Sequence, residues 1–144
     1  MRKNYMTNMR SMNNMHSSND IFSFNIEDSA LKNQNFRKTI WTGKFMQITL
    51  MSINSGSSIG LEMHPDTDQF LKIEDGTGQV LIGKSKDRLS YQKRIKKGDA
   101  IIIPAGMWHN VINLGRSCIK LYSVYAPPHH RPGTVHRTKQ DAID

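Results

Sequence analysis

The chain has one cysteine, Cys118, in 144 residues. A single thiol excludes an internal disulfide framework and any Cys-x-x-Cys zinc site. Its apolar, strand-like setting in "CIKLYSVY" predicts a buried and inert thiol. No hydrophobic run approaches the ~18 residues of a membrane span, and the N-terminus lacks the apolar centre of a secretory signal. The default expectation is therefore a soluble, cytoplasmic protein with no membrane partner. Acidic residues are also scarce, with 12 Asp plus Glu against 20 Lys plus Arg and a net charge of +8. Such an excess suits nucleic acid or an anionic substrate. The aromatics that interleave with cations on a nucleic-acid surface are missing, however. Around one expected hairpin, Lys84, Lys86, Arg88, Lys93, Arg94, Lys96 and Lys97 have only Tyr91 for company. No helix-turn-helix or RNA-binding signature occurs, so a solvated basic loop and no nucleic-acid partner are expected.

Long amphipathic helices are absent as well. Residues 1–20, "MRKNYMTNMRSMNNMHSSND", are rich in Asn, Met and Ser and cannot bury enough apolar surface to offset their ordering entropy. They are expected to form a disordered arm. Residues 21–35 form a leader with one helical turn in "IEDSALKN". From residue 36 to 126 the texture changes to short apolar runs between Gly, Asp and Lys clusters. "FRKTIWT", "FMQITLMSI", "IGLEMH", "QFLKIE", "GQVLI", "YQKRI", "AIIIP", "WHNVIN" and "CIKLYSVY" all read as strands. "DGTG" and "KKGD" read as turns. Many short strands at short spacing predict an all-β sandwich or barrel in one domain. Residues 127–144 are expected to pack on that barrel as irregular chain, ending in a short helix.

Two segments carry candidate chemistry. In "GLEMHPDTDQFLKIEDGTG", Glu62 and His64 are two apart and share a strand face. "PDTD" turns the chain back, and Gln69 opens the returning strand near His64. Leu71 and Ile73 share the face of Gln69, so the face is polar at one end and apolar beyond. In "GDAIIIPAGMWHNVIN", "PAG" is a tight turn and His109 opens the strand after it, sharing a face with Val111 and Asn113. Read separately, each is equally an ordinary polar turn or a hydrogen-bonded strand histidine. Asp66 and Asp68 are read as turn residues.

Jointly the two segments resemble the cupin superfamily. Its first motif places two ligands one residue apart, a third after four more residues and then a glycine, matched here by Glu62, His64, Gln69 and Gly76. Its second motif is matched at every position by Gly98, Pro104, Gly106, His109 and Asn113. The look of "HPDTDQF", "IPAGMWHNVIN" and "GTVHRTK" is similar to small single-domain cupins of the mannose-6-phosphate-isomerase-like, cupin_2 type. The resemblance implies a jelly-roll barrel, the double-stranded β-helix, covering residues 40–126 and extending towards 140. It implies one divalent metal ion (Fe, Mn, Ni or Zn) held by Glu62, His64, Gln69 and His109. Most metal-binding cupins have His, His and Glu where this chain has Glu, His and Gln, so the carboxylate has moved and an amide stands in its place.

The resemblance further implies a small-molecule enzyme of sugar-isomerase or epimerase type, using the metal as a Lewis acid on a sugar or sugar phosphate. The alternatives are an Fe(II)-dependent dioxygenase and a non-catalytic small-ligand-binding barrel. Tyr122 and Tyr125 lie on opposite faces of one strand, and Tyr122 is the candidate proton donor. Lys44, Arg116, Lys120, Arg131 and Arg137 are candidate rim cations, although the plain reading of each is a solvated surface charge. His129, His130 and His136 read as a surface loop or as part of the site's mouth. A homodimer paired through "FRKTIWT" as an edge strand is expected.

Overall fold

The computed structural model describes residues 20–142. The expected disordered arm thus lies almost wholly outside the described residues. The first element is α1, Ile26–Lys32, capped by the Asn25 side chain accepting from the Asp28 N–H at 2.8 Å. Glu27 and Asp28 in its first turn and Lys32 in its last complement the helix dipole. The predicted single turn is therefore a helix of seven residues.

Nine strands follow among the described residues: β1 Arg37–Thr42, β2 Gln47–Ile53, β3 Asp68–Asp75, β4 Thr77–Gly83, β5 Tyr91–Lys96, β6 Ala100–Ile103, β7 Trp108–Asn113, β8 Ile119–Ala126 and β9 Val135–His136. A 3₁₀ turn at Lys139–Ala142 ends the described chain. One sheet has the order β6-β3-β8-β2-β1-β9 and the other β5-β4-β7. Both are antiparallel, which makes the chain an all-β jelly roll.

The core lies between the sheets, where Met51, Ile53, Leu71, Ile73, Val80, Val111, Ile119 and Leu121 are all but inaccessible. A second, smaller cluster lies on the other face of β2. Ala30 of α1 packs there with Ile40 and Leu50, flanked by Phe24, Ile48 and Tyr122. β2 is thus covered on both sides, which is why nearly all of it is buried.

Three expectations are corrected. "IGLEMH" is not a regular strand. Its chain is extended but joins β7 only through isolated bridges, Ser58 to Ile112 and Glu62 to His109. "FRKTIWT" is a free edge only in its second half, because β9 pairs with β1 at Arg37 and Lys38. Cys118 is half-buried rather than buried, with Sγ 3.6 Å from Asn54 Oδ1. In the basic hairpin Lys84, Lys86, Arg88, Lys93, Arg94, Lys96 and Lys97 are all exposed. No helix among the described residues is long and apolar enough to cross a membrane.

Candidate metal centre

Glu62 and His109 are brought together by backbone register. The Glu62 N–H donates to the His109 carbonyl at 3.0 Å, and the His109 N–H donates to the Glu62 carbonyl at 2.9 Å. Residues that exchange both bonds stand directly opposite, so their side chains share a face. His64 is fixed two residues further along, where its carbonyl accepts from the Gly106 N–H at 2.8 Å. Gly106 has φ of 84°, a left-handed turn conformation that a glycine adopts without steric cost. Asp68 tightens the same corner by accepting from the Ala105 N–H at 2.8 Å. The expected turn role of Asp68 is thus realised through a side-chain bond.

The result is a cluster in which one ligand atom each of Glu62, His64 and His109 lies within 4.8 Å of the others. His109 Nδ1 is 3.0 Å from the Met107 carbonyl. A donated Nδ1–H there leaves Nε2 as the free lone pair. That Nε2, and both ring nitrogens of His64, are buried without a hydrogen-bond partner. Burial holds His64 down to about 3, helped by the neighbouring His129, His109 and Arg37. His109 is likewise lowered by burial, against the opposing pull of the Met107 carbonyl. Both rings are therefore neutral at pH 7, the form that binds a metal. Burial raises the Glu62 carboxyl above its ordinary range, and the Arg37 guanidinium offsets part of this. Partnerless imidazoles and a desolvated carboxylate are costly without a partner. They are also what a divalent ion needs, so the residues present fit one.

Gln69 reaches the same end of the barrel. It is buried, and its Nε2 donates to Ser123 Oγ at 3.1 Å and lies 3.3 Å from the Tyr125 hydroxyl. Its Oε1 is buried without a partner. The amide is oriented by its nitrogen, leaving the oxygen for something else. Asn113, by contrast, serves the far end of β7. Its Nδ2 donates to the Ile53 and Ser117 carbonyls, both at 2.9 Å, and its Oδ1 accepts from the Gly115 N–H.

Of the two tyrosines, Tyr125 faces the site. It is fully buried, with its ring 5.6 Å from His64, and its hydroxyl is pushed up to about 12 by burial and by the Glu62 carboxylate. Tyr122, the sequence's candidate, points the other way and packs at 6.3 Å against Phe70 beside α1. Inward-facing positions on β8 are odd-numbered from Ile119 to Tyr125, which places Tyr122 on the outer face.

The tail belongs to the site. Gln47, fully buried, accepts from the His129 and His130 N–H groups at 3.1 and 2.8 Å. Its Nε2 donates back to the His130 carbonyl at 2.7 Å and to Thr42 Oγ1 at 2.9 Å. This one amide staples the loop over the barrel mouth. The His129 ring then sits 4.0 Å from that of His64, and His130 lies 5.1 Å from Tyr125.

The rim cations named from sequence do not gather here. Lys44, Arg116, Arg131 and Arg137 are exposed. Lys120 is engaged by the Asn33 carbonyl and Ser52 Oγ at 2.5 and 3.0 Å. The cation that does reach the site is Arg37, which sequence reasoning missed. It is 4% exposed, and its Nη2 lies 3.8 Å from Glu62 Oε1. The one signal available was an arginine two residues before Thr39 on a strand whose inner face carries both.

A two-sheet antiparallel barrel with a carboxylate and two imidazoles gathered at one end is a jelly roll with a candidate metal site. The Cupin domain family matches residues 49–125, and the chain belongs to the cupin superfamily. It is 55% identical over 122 residues to YrkC of Bacillus subtilis, an uncharacterised protein, covering 85% of this chain and 66% of that relative. It therefore spans just under two thirds of that relative's length. It is 39% identical to the uncharacterised protein L612 of Acanthamoeba polyphaga mimivirus, covering 81% of this chain and 72% of the other. Among solved structures it is similar to BH2720 from Bacillus halodurans, with TM-score 0.86 and 51% identity over 88% of this chain and 96% of that one.

Proposed function

We propose that the protein is a metal-dependent small-molecule enzyme of isomerase or epimerase type, acting on a sugar-like substrate with adjacent oxygens. The observation that carries this reading is the Glu62, His64 and His109 cluster, with its neutral, partnerless ring nitrogens at the mouth of the barrel. These three residues would hold the ion, and Gln69 Oε1 would complete the set as a fourth, weaker oxygen ligand. One carboxylate, two imidazoles and an amide form a mixed N/O set suited to Fe, Mn, Ni or Zn rather than to a soft metal. A bound ion would supply Lewis-acid polarisation of a substrate carbonyl or hydroxyl oxygen.

The chain's own residues do the rest. Tyr125, with its hydroxyl protonated up to about pH 12, donates rather than removes a proton. Its 3.3 Å contact with Gln69 Nε2 aims that hydroxyl at the site. His129, neutral and exposed over His64, is the candidate base for a proton beside a carbonyl. His130 narrows the mouth against water.

The test is solvent exchange in deuterated water. Hydroxy-carbonyl compounds are incubated with Mn- or Zn-loaded protein and followed by proton NMR, with oxygen consumption read in parallel. Exchange at the carbon beside the carbonyl, independent of oxygen and lost in Tyr125→Phe or His129→Ala, supports the isomerase reading. Oxygen uptake by the Fe(II) form replaces it with a dioxygenase. Ligand-induced stabilisation without exchange or uptake replaces it with a binding barrel.

A further inference from the structure

Arg37 is costly where it stands. A guanidinium carries five N–H donors and stays charged. Here it is 4% exposed, and its Nε is buried without a hydrogen-bond partner. Nη1 meets His136 Nδ1 at 3.3 Å, and the group lies 5.3 Å from the centre of the Phe36 ring. Among the described residues its one ion pair is with Glu62, at 3.8 Å, longer than a hydrogen bond. A buried cation this poorly matched is destabilising unless something else completes it.

The charge count says what that is. If Glu62 ligates a divalent ion, its negative charge is already committed. The ion, one carboxylate, two neutral imidazoles and the Arg37 guanidinium then sum to +2. The amide of Gln69 adds nothing. A neutral polyol leaves this charge uncompensated inside the barrel, whereas a carboxylate offsets one unit of it and a dianion such as oxalate cancels it. Arg37 is also pre-positioned, because β9 pairs with β1 at Arg37 and His136 and so fixes the side chain's nearest neighbour.

We propose that Arg37 receives the carboxylate of the substrate beside the metal position, making the site selective for small hydroxy- or oxo-carboxylates, sugar acids among them, over neutral sugars. This rests on the metal reading above and narrows its substrate class. The planar fork of arginine matches a carboxylate in geometry and in charge.

The experiment is calorimetric titration of the full chain, loaded with zinc and freed of excess ion, with oxalate, inorganic phosphate and ethylene glycol. Wild type is compared with Arg37→Gln and Arg37→Lys, with zinc content and melting temperature measured for each. The proposal predicts that oxalate binds wild type and binds Arg37→Gln about 10- to 100-fold more weakly at unchanged zinc content. Arg37→Lys is intermediate, and it decides the matter if the Gln variant fails to fold. Ethylene glycol is indifferent to both substitutions. Equal oxalate affinity in wild type and variants overturns the proposal, and tighter binding of phosphate than of oxalate overturns the choice of carboxylate. If wild type takes up no zinc, the metal reading fails on its own. Arg37-dependent oxalate binding by that metal-free protein still upholds an anion site, and its absence removes both.

Discussion

Followed along β3, the inward side chains run from Gln69 through Leu71 to Ile73. Followed backwards along β8, they run from Tyr125 through Ser123 to Leu121 and Ile119. β2 repeats the gradient with Gln47, Thr49, Met51 and Ile53, and β7 with His109 and Val111. The register makes these rows coincide, since Gln47 and Gln69 both pair with Tyr125 while Met51 and Ile73 both pair with Leu121. One end of a single interior is therefore polar and under-bonded, with orphaned atoms on His64, His109, Gln69, Thr39 and Arg37. The other end is apolar and buried. The apolar end supplies stability, and the polar end leaves part of its hydrogen-bonding capacity unmet.

That division can be broken from either side. The largest effect is expected at the apolar end, where Leu121→Ala should cost about 2–5 kcal/mol by leaving a cavity. Urea denaturation measures this, and the protein that remains folded should bind metal as tightly as wild type. At the polar end His109→Ala should do the opposite. Metal affinity should fall at least about 100-fold, a larger loss than is typical for removing a supporting residue. The metal-free variant should lose less stability than Leu121→Ala, because losing a partnerless buried nitrogen offsets part of the cavity's cost.

Acid should reveal the same asymmetry without mutation. His64 is held at about 3 and His130 at about 2, both chiefly by burial, and His109 is lowered too. The unfolded chain protonates its histidines near their ordinary value of about 6.5, while the folded protein refuses those protons. Stability is thus full above that value and falls as pH drops from about 6.5 towards 3, by order 1 kcal/mol per pH unit for each such histidine. Glu62 opposes this, since its raised value lets the folded state take a proton first. One carboxyl does not outweigh three histidines. Thermal melts of metal-free protein between pH 7 and 4 should show the decline, and bound metal should steepen it by adding its own proton competition.

Gln69→Leu should weaken metal about 10-fold, and Gln69→Glu should restore or exceed wild-type affinity by adding charge to the same oxygen position. Smallest of all, Tyr122→Phe on the helix-covered outer face should change stability by less than about 0.5 kcal/mol and leave ligand binding unaltered.

How much of this was readable in advance follows the distance over which each contact is made. Eight of the expected strands formed because period-two patterning and turn residues are local signals. "IGLEMH" failed as a regular strand because Gly60 sits at φ of 100° within it and interrupts its pairing with the free edge of β7. The site triad was nonetheless legible, because Glu62 and His64 share a face in any extended chain and the "PAG" turn fixes where His109 begins. Tyr122 and Tyr125 were indistinguishable, since a strand covered on both faces loses its polar alternation. Arg37 was missed, and His129 and His130 were read only as a surface loop or as part of the site's mouth. Their convergence depends on Gln47 stapling the tail and on β9 pairing with β1, contacts that span 82 to 99 positions of sequence.

A metal site at the polar end requires that ion content depend on His64 and His109. Elemental analysis of the purified, metal-reconstituted protein, beside His64→Ala and His109→Ala, tests it most directly. Close to one divalent ion per wild-type chain, and almost none in either variant, is the result predicted. A folded wild-type protein that takes up no ion, or histidine variants that retain it fully, would contradict it.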